Sequence, residues 1–392
     1  MIKAVLLDLD NTLLDNPQDV FVREYLQAVD TFFQKHGQQT LSASLLQSMG
    51  AMTRPRDLRL TNADVIIGII HKNLARAQEE ILPLFTEFYQ TVYPALQRFT
   101  RPIPFAAEVV NHLQQQGLIV VVATNPLYPA DAIYQRLTWA NLSLNSNAFA
   151  LVTHGENMHY AKPDSAYFGE ILARVGVEPD ETLMVGDSSE SDIIPAAEAG
   201  LHTYQIKSAS EDTFSGTMED LYTLICNEDW VNSFPVRLLQ TSMIAPEMRG
   251  SLGALYGLLS EVQPHHWHQH PDPNEWSVMQ IVCHLLESEQ ALQRPRLQRI
   301  LNEVNPFLTT SYKPAGADTA PCADDGYRIA DAFVHERTLT MDLLRSLRPE
   351  DWLRRAHHSI FGPTTLLEMA HFTAQHDRLH LKQFRHTLDQ CQ

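Results

Sequence analysis

Two aspartates, Asp8 and Asp10, close an apolar run in the stretch VLLDLDNTLLD. Residues two apart on a strand project to the same side, so both carboxylates would face one crevice at the strand's end. Mutual repulsion and desolvation oppose that placement. Taken alone, such a pair is more often a turn or cap feature. Three further stretches carry reactive side chains in order: VVVATN ends on Thr124 and Asn125, AKPD supplies Lys162, and MVGDSSESDI supplies Asp187 and Asp192. Asp192 also has the position of an N-cap for the helical stretch that follows it.

A second group of candidates lies far down the chain. His376 and His380, in AQHDRLHL, are four apart and so share a helix face. That spacing is common in metal clamps. Twelve of the 18 histidines fall after residue 240, so the pair alone can also arise by chance. His284 sits on an otherwise apolar face in WSVMQIVCHLLESE, where an isolated histidine is ordinarily a satisfied core residue. His371 lies well round the helix from His376 and is a poorer ligand candidate.

The elements that must hold these residues are legible as patterns. KAVLLDLD, GLIVVVATN, ETLMVGDS and LHTYQIK are continuous apolar runs, as in strands buried on both faces, and parallel strands need helical crossovers. PFAAEVVNHLQQQG and SDIIPAAEAG supply two, each ending at a glycine suited to a C-terminal cap. Between the first strand and Arg101 the pattern is helical, including VFVREYLQAVDTFFQKHG and QEEILPLFTEFYQTVYPALQRF, which predicts a lid over the carboxyl edge of the sheet. After about Cys226 strand signals stop, and four long amphipathic segments predict a four-helix bundle. PHHWHQH and RRAHHSIFG read as loops. The expected architecture is thus an α/β Rossmann-like parallel sheet with an inserted α-helical cap, followed by an all-α four-helix bundle. The domains are placed at 1–228, with core about 1–15 and 101–228 and cap about 16–100, and at 236–392.

Composition narrows the function. The 392 residues exceed what one core usually serves. The net charge is -18, of which 15 - 29 = -14 falls in residues 1–240 and 14 - 18 = -4 in the remainder, counting Lys and Arg against Asp and Glu. Neither half offers the basic stripe that nucleic acid requires. No run approaches the ~20 apolar residues needed to cross a bilayer, and the four cysteines form no Cys-x-x-Cys pair, so isolated thiols and a cytoplasmic location are expected.

The four motifs DLDNT, VVVATN, AKPD and MVGDSSESDI, in that order, resemble those of the haloacid dehalogenase superfamily of hydrolases over most of residues 1–210. The resemblance implies that Asp8 is the nucleophile and forms an aspartyl phosphate, and that Asp10 protonates the leaving oxygen and then deprotonates water. It implies Mg2+ held by the Asp8 carboxylate, the Asp10 carbonyl and Asp187, with Asp192 orienting water or Lys162 at the metal's edge. Thr124, Asn125 and Lys162 would hold the phosphoryl group. Dehalogenases of this superfamily lack the second aspartate, so Asp10 favours phosphate chemistry, with a phosphatase expected and a phosphomutase as the variant that excludes water. The substrate expected is a small phosphorylated metabolite.

EWSVMQIVCHLLESE together with FGPTTLLEMAHFTAQHDRLHLKQ resembles the DinB-like metal-binding four-helix bundles, over about residues 236–390. The family's histidine triad would fall on His284, His376 and His380, leaving coordination positions open for water or substrate. Three imidazoles suit Zn2+, Ni2+ or Fe2+ alike. For this half, a metal-dependent thiol transferase or hydrolase, possible as the principal chemistry of the chain, stands beside a non-catalytic dimerisation or metal-sensing module.

Overall fold

The computed structural model describes residues 1–52, 54, 56–142, 148–207, 214–309 and 325–391. It divides into two compact units: residues 1–167 with 177–237, and residues 168–176 with 238–392.

The first unit is built on a six-stranded sheet. Its strands are β1 (Ala4–Leu7), β4 (Ile119–Val122), β5 (Leu151–Val152), β6 (Thr182–Gly186), β7 (His202–Ile206) and β8 (Ser215–Gly216). The order is β5-β4-β1-β6-β7-β8, with every pairing parallel. All four residues of β1 are buried, and so are all five of β6, because helices cover both faces. Two short strands, β2 (Leu14–Asp15) and β3 (Arg101–Pro102), pair antiparallel where the chain leaves and rejoins the core. Between them the cap carries α1 (Gln18–Lys35), α2 (Ser42–Ala51), α3 (Asn62–Leu74) and α4 (Gln78–Thr91). A Thr61–Asp64 capping box starts α3. Phe21, Tyr25, Phe88 and Tyr93 from the cap join Val5, Leu7, Val120 and Val185 in one apolar cluster. The rest of the core unit is α5 (Ala106–Gln115), α6 (Ala130–Trp139), α8 (Ile194–Glu198) and α9 (Met218–Ile225); α7 spans Ala166–Val175.

The second unit contains α10 (Thr241–Leu259), α11 (Val278–Ser288), α12 (Arg294–Asn302), α13 (Gly326–Arg345) and α14 (Leu366–Gln390). A wider, π-type turn at Glu289–Gln293 joins α11 to α12. Four long helical segments therefore result, as expected. The strand-free expectation fails in one place, since β9 (Phe307–Leu308), β10 (Arg355–His358) and β11 (Gly362–Thr365) form a small sheet. RRAHHSIFG, read as a loop, supplies β10. Its alternation hides Ala356 and His358 while exposing Arg355 and His357, a period-two pattern obscured by its polar residues. The thiol expectation is also corrected: Cys283 is disulfide-bonded, whereas Cys226 and Cys391 are free. Cys322 lies outside the described residues.

Candidate functional site

In the first unit, β1 delivers Asp8 to the carboxyl end of the sheet. The Asp8 amide donates to the Val185 carbonyl at 2.9 Å, which fixes β1 against β6 at that point. Asn11 then takes φ 60°, a left-handed conformation that asparagine tolerates. Its carbonyl side chain accepts from the Asn16 amide at 3.1 Å. This turn brings Asp10 back beside the strand end.

Three carboxylates converge there. Oxygens of Asp8, Asp187 and Asp192 all lie within 4.8 Å of one another. Lys162 closes the group: its Nζ donates to Asp8 Oδ1 at 2.7 Å and to Asp192 Oδ1 at 2.5 Å. Asp192 Oδ2 accepts from the Ser188 amide at 3.1 Å, while the cap of this helical turn is Ser188, whose side chain accepts from the Ser191 amide. The cap reading of Asp192 is thereby set aside, and the side chain instead orients Lys162. Gly186 is required beside it, because a Cβ at that position would overlap the Asp192 carboxylate.

One ammonium among three carboxylates leaves excess negative charge. Burial pushes the Asp8 carboxyl up to about 8, against the pull of Lys162. Burial, and then the charge of Asp192, also raise Asp187. Burial works against the charge on Lys162, but Asp8 and Asp192 outweigh it and hold the ammonium protonated. An all-oxygen donor set with uncompensated buried negative charge fits a hard divalent cation.

Asp10 has separate partners. Its Oδ1 accepts from Asn16 Nδ2 at 2.8 Å, and its Oδ2 accepts from Arg136 Nη1 at 2.7 Å. Arg136, at 1% exposure, packs its guanidinium 4.3 Å from the Tyr128 ring centroid. Sequence reasoning missed it. The signal was present, since Arg136 falls on the buried stripe of α6 between Ile133 and Ala140. Thr124 is buried, and its carbonyl accepts from the hydroxyls of Thr153 at 2.9 Å and Tyr167 at 2.8 Å. Asn125 follows it, with a buried Oδ1 that has no partner among the described residues.

In the second unit, α11 carries His284 and α14 carries His376 and His380. Their ring nitrogens include a set within 4.8 Å of one another. His284 Nε2 lies 3.2 Å from His376 Nε2, and both rings have centroids 4.5 Å from that of His380. Trp276 stacks on His380, with an interplanar angle of 5°. Burial, then the neighbouring imidazoles, lower His284 to about 3; burial and His376 lower His380 to about 4. Three converging ring nitrogens, with His284 and His380 held neutral, fit a borderline metal ion. His371 is elsewhere, 3.4 Å from Glu247.

Beneath the histidines runs an ion-pair network that sequence reasoning did not find. Arg337 reaches Glu289 at 2.7 Å and Asp377 at 2.8 Å, all three at 1% exposure or less. Thr340 donates to Glu289.

Comparisons with known proteins follow this division. Residues 2–200, half of the chain, match a protein-family model described as haloacid dehalogenase-like hydrolase. Residues 248–384 match that of the DinB superfamily. A phosphoglycolate phosphatase of Pseudomonas savastanoi pv. phaseolicola is 27% identical over 199 residues, 51% of this chain and 67% of that protein. An N-acetylmuramic acid 6-phosphate phosphatase of Pseudomonas aeruginosa is 26% identical, over 53% of this chain and 82% of that protein. Among solved structures, a Bacillus subtilis protein described as a probable metal-dependent hydrolase with an unusual four-helix bundle topology covers 38% of this chain and 85% of its own. It is 16% identical, at a TM-score of 0.33.

Proposed function

The chain belongs to the haloacid dehalogenase-like hydrolases, and on that premise we propose that its first unit is a Mg2+-dependent phosphatase acting on a small phosphorylated metabolite in the cytoplasm. The observation that carries this reading is the convergence of Asp8, Asp187, Asp192 and Lys162 at one strand edge, with Asp10 beside them. Relatives that act on phosphoric esters support it.

The residues divide the work. An Asp8 carboxylate oxygen attacks phosphorus as the bond to the leaving oxygen breaks, giving an aspartyl phosphate. Asp10 gives its proton to the departing alkoxide, then takes one from the water that cleaves the acyl phosphate. Lys162, Thr124 and Asn125 hold the phosphoryl oxygens. Arg136 and Asn16 fix the Asp10 carboxyl in direction. Asp8, the Asp10 carbonyl, Asp187 and Asp192 would hold Mg2+. That ion supplies charge neutralisation, so that an anionic nucleophile can meet an anionic phosphoryl group. A phosphomutase would use the same residues, with water kept out during transfer.

For the second unit, read as residues 236–392 following a domain at 1–228, the three convergent imidazoles favour binding of one divalent transition metal, Zn2+, Ni2+ or Fe2+. With three protein ligands, further coordination positions remain for water or substrate, which fits a thiol transferase or hydrolase. A metal-sensing or homodimerising module uses the same triad without turnover. Turnover of p-nitrophenyl phosphate with Mg2+ tests the assignment: Asp8→Asn is expected to abolish it and His376→Ala to leave it intact. The opposite pattern would move the phosphatase activity to the bundle.

A further inference from the structure

Asp10 lines a cavity of about 130 Å³ between the cap and the sheet edge. Because Asp10 is the proton donor to the leaving oxygen, this space receives the departing alcohol. Its walls are mostly apolar and aromatic, with Val22, Tyr25, Ile66 and Tyr128 among them and uncharged Gln18 and Ser48 as polar members. Tyr25 adds little polarity, since its hydroxyl is engaged by that of Tyr89 at 2.8 Å.

The charges around the cavity decide what it can hold. Among the described residues lining it, none is cationic, and the only charged one is Asp10. Two buried cations pair with the acids of the site but do not line the cavity: Arg136 with Asp10, and Lys162 with Asp8 and Asp192. A carboxylate placed here would face Asp10 in a mostly apolar setting with no counter-charge on the walls, which disfavours it strongly. An uncharged hydrocarbon body meets no such penalty and gains from burial against the aromatic walls. The size is also informative, because an apolar cavity of ~150 Å³ takes up benzene.

We propose that the physiological leaving group is a neutral, largely hydrocarbon alcohol about the size of a benzene ring, and not a hydroxy acid or a charged sugar. This rests on the phosphatase reading above, and it departs from the substrates named for the two relatives.

The test compares kcat/KM of the full chain with Mg2+ on benzyl phosphate and on 2-phosphoglycolate, with p-nitrophenyl phosphate as a reporter of the chemical machinery. Benzyl phosphate is expected to be favoured by at least about 100-fold, since the carboxylate of 2-phosphoglycolate would find no partner on these walls. Met49 is 46% exposed at the cavity's rim, so a longer charged side chain can be accommodated there. Met49→Arg should narrow the ratio at least tenfold by supplying the missing cation. If 2-phosphoglycolate is turned over as well as benzyl phosphate while the p-nitrophenyl reaction depends on Asp8, the leaving-group assignment is overturned and the phosphatase reading stands. If Asp8→Asn and wild type hydrolyse p-nitrophenyl phosphate equally, both are overturned.

Discussion

The acidic cluster of the first unit and the histidine cluster of the second each gather ligand atoms within 4.8 Å, yet they manage burial in opposite ways. At the strand edge three acids surround one Lys162 ammonium, and burial drives Asp8 towards taking up a proton when no cation is there. At the helix pair burial instead drives His284 and His380 to lose their proton, leaving them as neutral donors beside His376. The first arrangement calls for a hard cation and anionic chemistry, the second for a softer metal. Buried groups of similar separation thus report their ligand through protonation state as much as through distance.

The largest effect that would break this contrast is at the nucleophile. Asp8→Asn should cut phosphatase kcat by about 10^4-fold or more, measured with p-nitrophenyl phosphate and Mg2+. His376→Ala should leave that rate unchanged while removing one bound transition metal per chain, as metal analysis would show. Lys162→Met should lower kcat by roughly 10^2- to 10^3-fold, the scale for losing one charge-stabilising donor. It also strips a buried partner from Asp8 and Asp192, so thermal unfolding should shift downward in the metal-free protein.

In the second unit, Arg337→Met strands Glu289 and Asp377 as buried, unpaired carboxylates. It should destabilise that unit by about 3 kcal/mol in denaturant unfolding, with phosphatase turnover retained. Retention of both stability and metal binding would show that the network under the histidines is dispensable.

The subtlest prediction is a pair of opposite pH responses. Asp8 has its folded pKa raised from 3.8 to about 8, so without metal the folded state favours its protonated form. Its contribution to stability is therefore most favourable below about pH 4 and is lost as pH rises toward 8. The Asp8→Asn protein should gain on wild type in melting temperature across that window. His284 and His380 have folded values lowered from 6.5 to about 3 and about 4. Their contribution is present above pH 6.5 and is lost as pH falls toward those values. The His284→Ala protein should therefore gain on wild type as the pH is lowered.

Much of this was legible in the sequence because it is local. The apolar runs place Asp8, Thr124 and Asp187 at successive strand ends, and parallel pairing brings those ends together without further information. The spacing of His376 and His380 fixes their shared face in the same way. Arg136 was not legible, because its partner Asp10 is 126 residues away and the pair exists only once the sheet and α6 pack. The same holds for Arg337, 40 residues from Asp377. A common sign runs through both: Arg136 follows Ile133, and Arg337 lies between Phe333 and Leu344, so each occupies an apolar helical stripe. A charge on such a stripe must find a buried counter-charge, which identifies the residue as important without naming its partner. The β9–β11 sheet escaped because β10 is polar, and its strand character comes from pairing on both sides.

The most direct test of Asp8 as the phosphoryl acceptor uses Asp10→Asn with p-nitrophenyl phosphate, whose leaving group needs no proton. The account predicts a burst of about one equivalent of p-nitrophenolate followed by slow turnover, since attack proceeds while hydrolysis of the acyl phosphate lacks its base, with the retained phosphate mapped by peptide mass to Asp8. A phosphate found on another residue, or an Asp8→Asn protein that turns over at the wild-type rate, would contradict it.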